Sequence, residues 1–318
     1  MSDYIATAFY KFVRFDDPDA LREKLHEALN ALGVKGMVLM ATEGLNGTIA
    51  GPANVMDKAL KILKALPGCD ELESKNSPSD HMPFLRLKVR LKKEIVTMGV
   101  PGTDPTCLVG TYVKPQDWNA LISDPDTVLI DTRNDYEVEI GTFKGAVDPD
   151  IETFREFPDW FENFRAELQE QGRKPKIAMF CTGGIRCEKS TSWAKDIGVE
   201  DVFHLKGGIL KYLEHVPEEE SLWDGQCFVF DDRVSVGHGL KQGDYELCRG
   251  CRYPVSAEER QSPKFEEGIC CPHCADTLSD EKRAALTERM KQIRLAKARG
   301  EAHLGSEVDL TPRKRRTG

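Results

Sequence analysis

Along the first hundred residues the apolar positions switch between a period near two and a period near 3.6. Ile5 to Phe15 (IATAFYKFVRF) is apolar and rich in β-formers. Asp16-Asp17-Pro18 then supplies cap and first-turn chemistry for a helix in which Leu21, Leu25, Leu29 and Leu32 recur at helical spacing before Gly33 stops it. Val34 to Ala41 predicts a second strand, Glu43-Gly44-Leu45-Asn46-Gly47 a glycine-punctuated turn, and Thr48 to Ala50 a third strand. A helix from about Asn54 to Leu66 ends at Pro67-Gly68, and Phe84 to Met98 reads as the last strand. The order βαββαβ predicts a ferredoxin-like α+β sandwich over residues 1–101.

Gly102 to Val109 is a plausible linker, and the pattern changes beyond it. Val128 to Asp131, Lys176 to Phe180 and Val202 to Leu205 are short continuous apolar runs of the kind buried on both faces of a parallel sheet. Between and after them run helical segments. Phe154 to Gln171 carries Phe157, Trp160, Phe161 and Phe164 on one side, followed by Glu188 to Ile197 and Ile209 to His215. This alternation predicts a parallel α/β domain over residues 110–218. A cysteine-rich segment, 219–278, and a basic helix with a polar tail, 279–318, complete the chain. In that helix Leu286, Met290 and Ile293 form a narrow apolar stripe, and the tail ends in Arg313-Lys314-Arg315-Arg316.

Composition narrows the function classes. With 318 residues, 40% hydrophobic and 31% charged, the chain can bury ordinary cores, which excludes wholesale disorder. No run approaches the roughly 18 apolar residues of a membrane span, and the N-terminus has no basic region followed by an apolar core; no membrane partner and a cytoplasmic address are expected. The ten cysteines are then expected to be reduced. The net charge of −9 hides an asymmetry. Ser279 to Gly318 holds 11 Lys and Arg against 6 Asp and Glu, so this arm is +5 on a body of −14, compatible with local contact to RNA phosphates.

Two segments carry chemistry. Phe180-Cys181-Thr182-Gly183-Gly184-Ile185-Arg186-Cys187 reads as strand, tight loop, helix, at the strand end where α/β sheets bind ligands. The glycines let the loop amides curl inward. With the next helix N-terminus they would form an anion-stabilising nest that, with Arg186, lowers the Cys181 thiol pKa and makes it a nucleophile or sulfur carrier. Cys187 is the candidate resolving thiol, with packing as its simpler role. Cys248-Arg249-Gly250-Cys251 and Cys271-Pro272-His273-Cys274 are two C-x-x-C knuckles 19 residues apart. Their spacing fits a four-thiolate structural zinc site, with Cys270 and His273 as substitute ligands. No dinucleotide fingerprint suggests flavin or nicotinamide, and no two-His-one-carboxylate cluster is evident among the seven histidines.

Val128-Leu129-Ile130-Asp131-Thr132-Arg133, Glu137 to Ala146, the Cys181 loop and His204-Leu205-Lys206-Gly207-Gly208-Ile209 occur in the order of a rhodanese domain. The loop, with four residues between Cys181 and Arg186, resembles the sulfur-handling rhodanese loop rather than the longer one of the related phosphatases. With the N-terminal Ala41 to Thr48 (ATEGLNGT), the central Phe154 to Trp160 (FREFPDW) and the cysteine-rich tail, nearly the whole chain resembles the rhodanese-domain tRNA uridine hydroxylases. The resemblance implies an acylphosphatase-like first domain and hydroxylation of carbon 5 of the wobble uridine, position 34. It further implies O2 as co-substrate with an unidentified reductant, the tRNA anticodon loop as partner, and Cys181 as key residue. The residues alone stop at a reactive cysteine in a sulfurtransferase-like pocket, and a persulfide-carrying sulfurtransferase is the alternative reading.

Overall fold

The computed structural model describes residues 3–300 and divides into two compact units, one ending at Glu246 and one beginning at Leu247. The first unit opens with β1 (Tyr4–Phe12), α1 (Pro18–Ala31), β2 (Lys35–Ala41), β3 (Gly44–Pro52), α2 (Ala53–Lys64), β4 (Ser74–Ser79) and β5 (Leu87–Leu91). These strands form one sheet in the order β4-β1-β3-β2-β5. Asp17 caps α1 by accepting a hydrogen bond from the Ala20 amide at 3.0 Å, and Pro18 fills the first turn, where no amide partner is needed. Leu25 and Leu29 of α1 and Leu63 of α2 cover one face of the sheet, against Phe9, Leu45 and Ile49.

The ferredoxin-like arrangement is as expected, but one strand assignment changes. The fourth strand is β4, antiparallel to β1. The expected Phe84–Met98 strand is the shorter β5, added parallel to β2 on the opposite edge. Strand β4 is SKNSPS, whose inward positions Lys75, Ser77 and Ser79 are all polar and all buried. A strand with a polar buried face has no hydrophobic alternation to read. Pro78 is tolerated because β4 lies at the sheet edge.

The second sheet is built from β6 (Thr111–Val113), α3 (Pro115–Ile122), β7 (Thr127–Asp131), α4 (Asp135–Val138), β8 (Gly141–Phe143), α5 (Phe157–Glu170), β9 (Lys176–Phe180), α6 (Ile185–Asp196), β10 (Val202–Leu205) and α7 (Gly208–His215). Strands β6-β10-β9-β7 are parallel. Trp118 of α3 and Ile209 and Leu213 of α7 pack on one face. Phe157 and Phe161 of α5 and Trp193 of α6 pack on the other, with Trp160 and Phe164 half-buried. The sheet is covered on both sides, as its continuous apolar strands require.

Residues 219–246, which the sequence reading grouped with the cysteines, belong to the first unit. Strand β11 (Trp223–Gly225) pairs with β8, and β12 (Cys227–Phe228) with β13 (Ser235–Val236) forms a hairpin. Trp223, Cys227, Val229 and Val236 complete the core around Phe180. The apolar content of this stretch, rather than the cysteine spacing that starts at Cys248, decides where it packs.

In the second unit Val255 and Ile269 form a small core with the cysteines, and Leu286 and Met290 of α8 (Asp280–Ala298) pack on it as the stripe predicts; Ile293 is half-buried. The tail with Arg313-Lys314-Arg315-Arg316 lies outside the described residues. No helix among the described residues is long and apolar enough to cross a membrane.

Helix α6 is buried nearly all round, including Arg186, Cys187 and every residue from Lys189 to Ala194. Lys189 is 1% exposed and its Nζ donates to both Glu43 oxygens at 3.0 and 2.8 Å, to Glu94 at 2.7 Å and to the Val96 carbonyl at 3.2 Å. Removing one partner of a buried ion pair leaves the other desolvated and unmatched. Lys189→Ala is therefore expected to destabilise the first unit by about 3 kcal/mol, the lower end of the range for such losses because both carboxylates keep some solvent contact. Urea denaturation of the variant and the parent checks this; equal midpoints would remove the ion cluster from the account.

Candidate active site

Cys181 is the first residue past the carboxyl end of β9, and α6 begins four residues later. Gly184, at φ 101°, caps the helix in the left-handed region, and its amide donates to Cys181 Sγ at 3.1 Å. The carbonyls of Cys181 and Thr182 turn the other way, to the amides of Ile209 (3.0 Å) and Leu210 (3.1 Å) at the start of α7. That approach requires Gly208, where a Cβ would lie 2.5 Å from the Cys181 oxygen. Helix α7 thus takes the loop carbonyls and leaves loop amides for the sulfur.

Burial alone would raise the Cys181 thiol. A hydrogen bond from Cys187, the charge of Arg186 and the amides of Cys187 and Gly184 outweigh it and bring the thiol down to about 5. Cys187 moves in the opposite direction. It is fully buried, which together with the neighbouring thiolate holds its pKa well above the ordinary value, so it remains a neutral donor to Cys181. Thr132 Oγ1 lies 3.6 Å from Cys187 Sγ. Of the residues that the sequence singled out, Gly184, Arg186 and Cys187 therefore act on one sulfur, while Thr182, Gly183 and Ile185 line the cleft beside it.

Arg186 is held from its far side by a partner that sequence reasoning missed. Glu137 accepts two hydrogen bonds from it, at 2.6 and 2.8 Å, and a third from Thr182 Oγ1 at 3.2 Å. Although burial pushes the Glu137 carboxyl up, Arg186 and Arg133 bring it below its ordinary value. Its spacing from Asn134 is legible as a helix-start signal, and Glu137 Oε2 does accept from the Asn134 amide at 3.2 Å; nothing in that spacing identifies an arginine partner.

Above the loop lies a cleft of about 280 Å³. Cys181 and Arg186 line it from below, Tyr10 and Lys75 from the first sheet, Phe154 from the segment before α5, and Phe230 from the β12–β13 hairpin. Lys75 Nζ donates to the Gly183 carbonyl at 2.8 Å and stands 5.2 Å over the Tyr10 ring; burial lowers its pKa to about 8. Tyr10 donates to Glu188 at 2.7 Å, and a Cβ on Gly184 would lie 2.8 Å from the Tyr10 hydroxyl, a second reason for glycine there. Tyr10 and Lys75 carry no motif, and Lys75 lies on the strand that the hydrophobic pattern does not reveal.

In the second unit, Cys248, Cys251, Cys271 and Cys274 bring their sulfurs within 4.8 Å of one another, with 3.8 Å for 248–274, 3.6 Å for 251–271 and 3.9 Å for 271–274. A tetrahedral ion with zinc–sulfur bonds of about 2.3 Å sets its thiolates about 3.8 Å apart, so the four cysteines fit a metal ion of that kind. Cys270 and His273 are engaged elsewhere, Cys270 with the Lys264 carbonyl and His273 with Glu259.

Comparison with known proteins matches residues 4–95 to the UPF0176 acylphosphatase-like domain and residues 114–215 to the rhodanese-like domain. Proteins named tRNA uridine(34) hydroxylase are similar over nearly the whole chain. The one from Gluconobacter oxydans is 60% identical over 94% of this chain and 95% of its own length. The Agrobacterium fabrum protein is 60% identical over 95% of each chain, and that from Teredinibacter turnerae 54% identical over 98% of this chain and 95% of its own.

A thiol whose folded pKa is lowered is thiolate above that pKa and loses reactivity as pH falls through it. Alkylation of Cys181 by iodoacetamide, followed on its peptide by mass spectrometry, is expected to have its midpoint near pH 5. Arg186→Gln, which removes the neighbouring charge, should move the midpoint upward by about one unit or more. A parent midpoint above pH 8 would contradict the assignment.

Proposed function

Because this chain belongs to the tRNA uridine(34) hydroxylase family, we propose that it hydroxylates carbon 5 of the wobble uridine of tRNA to 5-hydroxyuridine, with O2 as oxygen source and Cys181 as the essential residue. The observation that carries this reading is a cysteine, with Arg186 and loop amides aimed at its sulfur, at the floor of a cleft walled by a second domain, with room for one flat ring. A base in the anticodon loop enters such a cleft by leaving its stack.

Thiolate addition to carbon 6 of uracil forms an S–C6 bond and shifts the C5=C6 π pair through carbon 5 onto the carbon 4 oxygen. Carbon 5 then attacks an oxygen species at the peroxide level. Loss of the carbon 5 proton and expulsion of the thiolate restore the double bond. One oxygen atom of O2 ends on carbon 5, and the other leaves as water after taking two protons and two electrons from an external two-electron donor, such as a low-molecular-weight thiol. The Gly184 amide, Cys187 and Arg186 hold Cys181 as thiolate between turnovers, with Thr182, Gly183 and Ile185 shaping the loop. Cys187 also stands where it would resolve an oxidised Cys181 by forming a disulfide. The +5 C-terminal arm supports contact with tRNA phosphates, and the tRNA substrate supports a cytoplasmic site of action.

The decisive experiment incubates the protein and a thiol reductant with unmodified tRNA in air and under nitrogen, then digests the RNA and weighs its nucleosides. A gain of one oxygen on uridine is expected in air only, and is expected to be abolished by Cys181→Ser. No gain in air, with turnover of thiosulfate and cyanide to thiocyanate, would favour the sulfurtransferase reading instead.

We assign structural zinc to the four-cysteine cluster, where four thiolates leave no open position for chemistry. Elemental analysis should find about one zinc per chain, lost in Cys271→Ser together with protection of residues 247–300 from proteolysis. A metal-free protein with the same protection would refute the assignment.

A further inference from the structure

The β12–β13 hairpin carries a charged side chain with one nitrogen that the fold leaves without a partner. Its turn is tightly built: the Val229 amide donates to the Val234 carbonyl at 2.8 Å, and the Val234 amide to the Asp231 carbonyl at 3.1 Å. The Asp231 carboxylate accepts from the Arg233 amide at 3.0 Å, from Arg233 Nε at 2.8 Å and from Nη2 at 2.6 Å. Arg233 is 3% exposed and lines the same cleft as Cys181. Its Nη1 has no hydrogen-bond partner among the described residues. An unpaired buried guanidinium nitrogen is costly, and in a residue that lines the cleft it points to a ligand atom that satisfies it.

Asp231 narrows the chemistry of that atom. With the carboxylate already matching the charge, Arg233 offers the N–H groups of one fixed nitrogen rather than a net positive field, which suits a carbonyl oxygen better than a phosphate. Beside it Phe230 is 59% exposed, an unusual state for a phenyl ring, and it also lines the cleft. A ring face and a fixed donor nitrogen together describe a site for a flat heterocycle bearing a carbonyl.

Resting on the hydroxylase reading above, we propose that Arg233 reads the carbon 4 oxygen of the target pyrimidine through Nη1 while Phe230 stacks on the ring. Carbon 4 is where uracil and cytosine differ: a fixed donor pairs with the carbonyl of uracil and faces the amino donor of cytosine. It is also the oxygen onto which the electron pair moves when Cys181 attacks carbon 6, where a donor is of most use. The hairpin is thereby the specificity element of the cleft, and the segment contributing it lies outside both domains that the family models match.

Binding separates this from catalysis. Anticodon stem-loops carrying uridine, cytidine or 4-deoxyuridine at position 34 are titrated under nitrogen and read by fluorescence anisotropy. The parent protein is expected to bind the uridine form at least about tenfold more tightly than the other two, the size expected of one charge-assisted hydrogen bond. Arg233→Lys keeps a charge beside Asp231 but has no planar fork to hold a second nitrogen where Nη1 stands, and should bind all three within about twofold. Phe230→Ala, at an exposed position that folding does not need, should weaken all three by a similar factor of about five or more.

Retention of the tenfold preference by Arg233→Lys, in a protein that hydroxylates uridine in air, would overturn the role of Arg233 and leave the hydroxylase reading standing. So would unchanged binding by Phe230→Ala for the stacking role. A parent protein that neither hydroxylates nor discriminates would overturn both readings together.

Discussion

A helix buried on nearly every side can carry charges there only if each is answered at close range, and α6 carries three in its first five residues, beside the reactive cysteine. Arg186 is met by Glu137, Lys189 by Glu43 and Glu94, and Glu188 by the Tyr10 hydroxyl. Glu137 belongs to the rhodanese-like half, whereas Tyr10, Glu43 and Glu94 belong to the first hundred residues. The helix that presents its N-terminus to Cys181 is therefore seated by both domains. Loss of the first domain would expose an uncompensated helix as well as one wall of the cleft.

The same arrangement explains how a fully buried thiol is ionised. Desolvation opposes the thiolate, and a lone loop amide would not overcome it. The opposing groups act as a set because each is immobilised elsewhere. Glu137 fixes Arg186, α7 takes the loop carbonyls, and Cys187 stays protonated because burial and the neighbouring thiolate hold it so. Groups already aimed at the sulfur need no reorganisation when charge appears there.

How much of this was legible in the sequence follows from where each instruction is stored. Strands β9 and β10 coincide with their expected ranges because a buried parallel strand is a local run of apolar residues. The Cys181 loop is equally local, with glycines, helix start and arginine all within six residues. The walls of the cleft are a different matter. Lys75 sits on a strand whose inward face is polar, so the signal that betrays most strands is missing. Glu137 and Arg233 stand 44 residues before and 52 after Cys181 in the chain, and only the fold brings Glu137 to Arg186 and Arg233 to the cleft. The loop that carries the reactive cysteine was readable, while the residues that brace it and wall the cleft belong to tertiary structure.

The charges within the cleft fit the acidic character of the body. Lys75, Arg186 and Arg233 all line it, yet Lys75 is partly neutralised by its burial, Arg186 is spent on Glu137 and Arg233 on Asp231. A cleft so compensated offers directional donors rather than a field and is poorly suited to capturing a polyanion by itself. Recognition of the nucleic acid then divides. On the proposed reading, phosphate attraction would fall to the basic C-terminal arm, a strongly positive stretch of a chain whose first 278 residues carry −14, and the cleft would distinguish one base from another.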